Sequence, residues 1–304
     1  MSKRELLKLA RELESAYQKY SDEWYAALYL EFGSIEQILD TLSDLPISVA
    51  EYYRAIDRVG IVKGEGRTST SLAQTLYIFW QRALEPNLTF KQIYLSIPLS
   101  TRASRTFPSL NTIYRIYDSV KKRKTTRLGV GVVISKDWNN TSVLVADEKF
   151  GSNLHGRVSG NTTIPFGFVC KKLPFEKSVL RILQREFSTE LALQGRLVLD
   201  AQRSLNSFSR NLIPENIRPF MEIDVLDIKV QIAHIRLPME LCDLSHASSF
   251  AVDNHRFDGV DNLLSNNNLR PGMEEVLLGY SKYLFEKDYV PIYTESQLNR
   301  SLIV

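Results

Sequence analysis

The hydrophobic pattern changes period near Lys124, and this change constrains the fold more than any other feature. Before it, apolar side chains recur at three- and four-residue spacing. After it, they come in short runs separated by turn-forming residues. The chain therefore reads as α+β overall, with an all-α region at 1–124 and an α/β domain at 125–304. Its 304 residues are ample for two domains, and 44% apolar and 10% aromatic residues supply cores that a disordered chain lacks.

Within the first part, SKRELLKLARELESAYQKY places Leu6, Leu7, Leu9, Ala10 and Leu13 on one stripe. A second, more buried helix, DEWYAALYLEF, is expected to end at Gly33. Ser34 with Gln37 has capping-box spacing, Pro46 breaks that helix, and Ser48 caps the next, which carries Tyr52, Tyr53, Arg54 and Arg58. Two short helices, a tight turn and GIVKGEGRTS read as a helix-turn-helix with a small wing. A second unit of this kind follows in SLAQTLYIFWQRAL, LTFKQIYLSI and SLNTIYRIYDSVKKR. In its last helix, capped by Ser109, Leu110, Ile113, Ile116, Tyr117 and Val120 are expected to face inward. The aromatic runs WYAALYLEF and LYIFW read as core.

The net charge is only +3, yet residues 102–127 hold eight Lys/Arg against one acid, Asp118. The first fifty residues hold nine acids against five bases. Such a local basic block suits an anionic partner, here double-stranded DNA. Asn111 and Arg115 would reach base edges, while Arg102, Arg105, Lys121, Lys122 and Arg123 would contact phosphates. The alternative is a solvated junction. Two cysteines, Cys170 and Cys242, offer no disulfide framework. No apolar run is long enough to span a membrane, and the charged start does not resemble a secretory signal, so a cytoplasmic protein is expected.

The second part carries strands at RLGVGVVIS, TSVLVAD and NTTIPFGFV, the last expected to end in a Gly167 turn, then the helix PFEKSVLRILQREFSTEL. Glu186 and Glu190 lie four apart on that helix, so both carboxylates share a face. Paired carboxylates favour a cation or a basic neighbour, with Mg²⁺ and the nearby Arg181 and Arg185 as the two choices. Further strands at EIDVLDIKVQIAHIRLP and FAVDNHRFDGV lead to a closing helix, MEEVLLGYSKYLFEK. His155, His234, His246 and His255 stand at no ligand spacing and read as structural.

A strand, a Gly turn, a loop and a helix bearing REFSTELAL resemble the Nudix superfamily over residues 125–287, with Arg185, Glu186, Glu190 and Leu193 on its box. The resemblance implies an α/β/α sandwich with a mixed sheet and, in an active member, Mg²⁺-dependent hydrolysis of nucleoside diphosphate derivatives. Carried over by position, Glu190 would ligate the metal, Glu186 would ligate it or act as base, Arg185 would orient a carboxylate, and Gly167 would present a carbonyl. The box departs from the family at Thr189, Ala192 and Lys177, where an acid, a glycine and an acid are expected, and Gly167 lies too far upstream. Three functions follow: a DNA-binding regulator whose Nudix-like domain senses a nucleotide or nucleotide sugar, an Mg²⁺-dependent hydrolase, or an interaction scaffold. A homodimer is compatible with each.

Overall fold

The computed structural model describes residues 3–32, 47–60, 69–103, 107–148, 161–169, 173–183, 213–237, 252–265 and 268–303. It divides into two compact units, Met1–Lys63 with Leu183–Asn211, and Gly64–Ile182 with Leu212–Val304. No described helix is long and apolar enough to cross a membrane.

In the first unit, α1 (Lys3–Phe32) is one continuous helix rather than the expected two. The junction at Ser21-Asp22 holds neither glycine nor proline, so nothing in the backbone chemistry forces a break. The expected buried stripe is also corrected: Leu7, Leu9, Ala10 and Leu13 are all exposed. Helix α2 (Val49–Val59) starts at Ser48, whose Oγ accepts from the Glu51 amide at 3.3 Å, and stops at Gly60, left-handed at φ 80°. Tyr25, Ala26 and Tyr29 of α1 pack on Tyr52, Ala55 and Ile56 of α2. Arg58 fixes the pair through two bonds to the buried Asp22 carboxylate, 2.7 and 2.8 Å. The helix expected from Ser34 and the wing at 61–68 lie outside the described residues.

The second unit is built on one mixed sheet. Its strands are β1 (Arg127–Lys136), β2 (Asn139–Glu148), β3 (Thr162–Thr163), β4 (Phe166–Val169), β5 (Met221–Val225), β6 (Ile228–Leu237), β7 (Val252–Gly259) and β8 (Ile292–Glu295). The order is β3-β2-β1-β6-β5-β8, with β4 also paired to β1 and β7 to β2. The β1–β6 and β5–β8 pairs are parallel and the others antiparallel. Its helices are α3 (Ser69–Leu84), α4 (Phe90–Ser96), α5 (Leu99–Arg102), α6 (Leu110–Lys121), α7 (175–183), α8 (Val260–Leu264), α9 (Met273–Phe285) and α10 (Gln297–Ile303). Among the described residues, every element before Lys124 is a helix, as the periodicity requires.

Strand β1 is buried along nearly its whole length, which marks a central strand covered on both faces. Alternation sends Val133 into a core shared with Leu72 and Leu76 of α3, Phe90 of α4, Ile113 of α6 and Leu277 of α9. Val130, Val132 and Ile134 point the other way. They are fully buried, as are Ala233 and Ile235 of β6, and Val179, Leu180 and Ile182 of α7 are buried outside the first core. The expected boundary near Lys124 falls inside this unit. Helices α3, α4 and α6 use the sheet itself as their apolar partner, so the change of texture does not coincide with a gap in packing.

Two devices fix the sheet's lower end. The β5–β6 turn carries Leu226 at φ 55°, an uncommon conformation for a leucine. The buried Asn299 side chain holds it there, accepting from the Leu226 amide at 2.6 Å and donating to its carbonyl at 3.0 Å. Next to it, the buried Asp227 carboxylate accepts from Thr126 and pairs with Arg127, which ties the start of β1 to the same turn.

Candidate functional site

The basic block forms around α6, and its geometry follows from local signals. Ser109 caps the helix by accepting from the Thr112 amide at 3.2 Å. Thr112, Ile113, Ile116, Ser119 and Val120 are buried, so the helical period leaves Asn111, Tyr114, Arg115, Asp118, Lys121 and Lys122 exposed. Tyr117 closes the inner side against Phe90 of α4, ring centroids 4.9 Å apart. The second trio of helices, α3, α4 and α6, is therefore present in the order expected.

The basic side chains of the block are not equivalent. Asn111 and Arg115 stand one turn apart on the outer face, and Arg115 makes no ion pair among the described residues. Lys121 lies over the Tyr117 ring at 4.8 Å. Lys122 pairs with Asp118 at 2.8 Å, an exposed (i, i+4) contact worth about 0.3–0.5 kcal/mol. Arg102 donates to the Ile97 carbonyl at 2.9 Å and stacks on Tyr94, so it braces the α4–α5 corner. Arg123, left-handed at φ 49°, pairs with Glu295 of β8 at 3.2 Å and so ties the end of α6 to the sheet. Arg105 lies outside the described residues.

Of the expected catalytic and metal residues, Arg185, Glu186 and Glu190 lie outside the described residues, as do Thr189 and Ala192. Gly167 is described, and it is not a turn residue. It is buried within β4, opposite Val130 of β1. Arg181 of α7 donates to the Phe168 carbonyl. Among the described residues, no group of three His, Cys, Asp or Glu is placed to hold a metal. Asp258 of β7 accepts from the Gly259 amide and lies 4.0 Å from Arg256, while Asp253 faces Asp147 across the β2–β7 ladder.

Two polar clusters escaped the sequence reading. At the end of β2, Glu148 and Arg270 form a largely buried pair at 2.9 Å, their side chains 11% and 13% exposed. Burial holds the Glu148 carboxyl above its ordinary value, although Arg270 and Asn161 pull it down. Arg270 also lies over the Phe166 ring at 4.8 Å and lines an apolar cavity of about 40 Å³ with Leu72, Leu76, Gly131 and Val276. Beside it, Asp147 accepts from Thr162 at 3.0 Å, Arg256 at 3.0 Å and Asn254 at 2.7 Å. An acid with a raised proton affinity beside a guanidinium can exchange protons, and it can equally serve as a clamp between β2 and the 268–272 loop. The cavity has room for about a water molecule or two, too little for a nucleotide. Neither partner stands out in sequence, because the pair joins residues more than a hundred positions apart.

The second cluster centres on His234 of β6. Its Nε2 lies 2.9 Å from Ser135 Oγ and 3.1 Å from Tyr280 OH, which donates to the Asn140 carbonyl at 2.9 Å. Burial, aided by the Arg236 charge, lowers His234 to about 4, and burial pushes Tyr280 up to about 12. Ser135 and Tyr280 are fully buried and His234 is half-buried, so the serine hydroxyl is enclosed and the contact reads as a packing network.

No family model matches the chain, and no curated protein matches it. Solved Nudix-family structures match about half of it. An ADP-ribose pyrophosphatase from Streptococcus suis 89-1591 is 12% identical over 56% of this chain and 99% of its own, with a TM-score of 0.34. NrtR of Shewanella oneidensis is 13% identical over 53% of this chain and 65% of its own, with a TM-score of 0.36. A mutT/nudix family protein from Listeria innocua is 15% identical over 54% of this chain and 98% of its own, with a TM-score of 0.34. The chain is similar to these proteins at a distance that assigns none of its residues a role.

Proposed function

We propose that the chain is a DNA-binding regulator in which α6 reads duplex DNA and the Nudix-like part senses a nucleotide or nucleotide sugar. The observation that carries this reading is the outer face of α6. Asn111 and Arg115 stand exposed one turn apart near the capped end, with Lys121 and Lys122 exposed at the other end. Asparagine suits the adenine edge and arginine the guanine edge, while lysines supply sequence-independent attraction to phosphates. Arg102 and Arg123 also make contacts within the chain, to the Ile97 carbonyl and to Glu295, that brace the helix.

Fluorescence anisotropy with duplex pools across a salt series tests the proposal. Arg115→Ala is expected to flatten sequence preference, at about 1–3 kcal/mol on a preferred site. Lys121→Ala is expected to weaken all duplexes alike and lower the salt slope by about one unit. Arg123→Ala is expected to change thermal stability more than the slope, because its charge is already answered by Glu295. Absence of duplex binding at low salt sinks the regulator reading. It leaves an Mg²⁺-dependent hydrolase using Glu186 and Glu190, or a scaffold, and turnover of nucleoside diphosphate derivatives lost in Glu190→Gln separates those two.

A further inference from the structure

Helix α1 has two faces with different fates. Tyr25, Ala26 and Tyr29 are buried against α2. At about 100° per residue, Leu9, Leu13, Tyr17, Tyr20 and Trp24 fall within a stripe about 80° wide on the opposite side. All five are exposed, Leu13 at 63% and Tyr17 at 75%. From Glu5 to Tyr20, moreover, every residue whose burial is described is exposed, on every face of the helix. A helix gains most of its stability by burying an apolar face, and before Ser21 the described apolar side chains of this one are exposed.

We infer that this stripe is a self-association surface and that its occupant is α1 of a second copy of the chain. The spacing points to a like helix. Leu9, Leu13, Ala16 and Tyr20 alternate steps of four and three, the spacing of a seam that two helices bury against each other. The size agrees as well. Five large apolar side chains, each about half exposed and worth about 200 Å² when fully covered, bury about 500 Å² per copy. The total of about 1,000 Å² for two copies is where specific interfaces begin. The stripe is also self-complementary under a twofold axis, as a closed dimer requires. The inference is independent of the DNA-binding reading, since none of its residues belongs to α6.

Multi-angle light scattering on the full chain tests it. The wild type is expected at the mass of two chains, with a dissociation constant that barely changes with salt. Leu9→Ser/Leu13→Ser/Tyr17→Ser is expected to raise that constant at least 100-fold while leaving the far-ultraviolet circular dichroism of α2 and the sheet unit intact. Tyr17→Glu alone serves where the triple variant aggregates, because the side chain is exposed and its loss opens no cavity. Arg4→Ala/Arg11→Ala, on the face away from the stripe, is expected to leave the dimer unchanged. A wild type that stays monomeric at high concentration overturns the inference, whether the stripe is bare or covered by another segment of the chain. A dimer that survives both stripe variants, or one lost equally in the Arg4/Arg11 control, overturns it too.

Discussion

The His234 network makes a quantitative demand on stability in acid. In the unfolded chain its imidazole titrates near 6.5, whereas in the folded protein burial and Arg236 lower it to about 4. The unfolded state therefore binds the proton more tightly. The sign follows directly: the stabilising effect is fully present above about pH 6.5 and is lost as pH falls toward 4. Integrating the two titrations from about pH 7 to about pH 4 gives a loss of about 3 kcal/mol from this one residue. His234→Phe keeps a ring against Tyr280 and Tyr283, which lie 5.0 and 5.6 Å away, and removes the titration. Urea denaturation of both proteins at about pH 7, 5.5 and 4 should show the wild type losing about 3 kcal/mol more than the variant across that range. Parallel losses, or an imidazole NMR titration centred near 6.5, would refute the argument, because either outcome means that the half-buried ring protonates without penalty.

Other substitutions probe the two devices that shape the sheet. Asn299→Ala strips the Leu226 amide and carbonyl of their partners inside the core, so a cost of about 2–5 kcal/mol is expected by urea denaturation. A cost below about 1 kcal/mol would mean that the left-handed leucine needs no such support. Gly129→Ala and Gly131→Ala form a contrasting pair. A methyl at Gly129 meets the Phe166 ring at 2.7 Å, and that ring is stacked under Arg270, so about 1–3 kcal/mol is expected. A methyl at Gly131 presses on the tips of Ile232 and Ile164, beside the cavity into which they can shift, and touches Val230 at an ordinary 3.8 Å, so it should cost less than about 1 kcal/mol. Equal melting temperatures for the two variants would contradict this difference in freedom.

Local signals were legible in the sequence, and long-range ones were not. Ser48 and Ser109 announced the starts of α2 and α6, and the runs from Arg127 to Glu148 announced two central strands, because capping and alternation act over a few residues. Periodicity also identified the apolar side of α3 and α6, but it does not say what that side packs on. Periodicity alone therefore suggests a boundary near Lys124, while the described helices α3, α4 and α6 share a core with the sheet. On α1 the same rule pointed to a stripe that the described structure leaves exposed, since an apolar stripe marks a contact without saying whether the contact is intramolecular. The pairing of Arg123 with Glu295 cannot be read from the sequence, because the two lie far apart along the chain. Glu148 and Arg270 were invisible for the same reason. Gly167 read as a turn because a glycine ends the apolar run, whereas pairing with β1 continues the strand through it.

The parallel ladder between β1 and β6 has a consequence for how the chain must be made. It joins Arg127–Lys136 to Ile228–Leu237 residue for residue, so the two central strands lie about a hundred residues apart in the chain. At translation rates of about 5–20 residues per second, β1 waits about 5–20 s after synthesis before its parallel partner emerges from the ribosome. During that interval β1 has β2 and β4 as strand neighbours and the earlier helices on one face, while the edge that β6 will pair stays bare. The nascent chain thus carries an open sheet edge while the last quarter to just over half of it has yet to be made. A messenger that ends before codon 237 yields a polypeptide whose first strands cannot close their sheet, so truncated products should collect with chaperones or in aggregates rather than persist as a folded amino-terminal half.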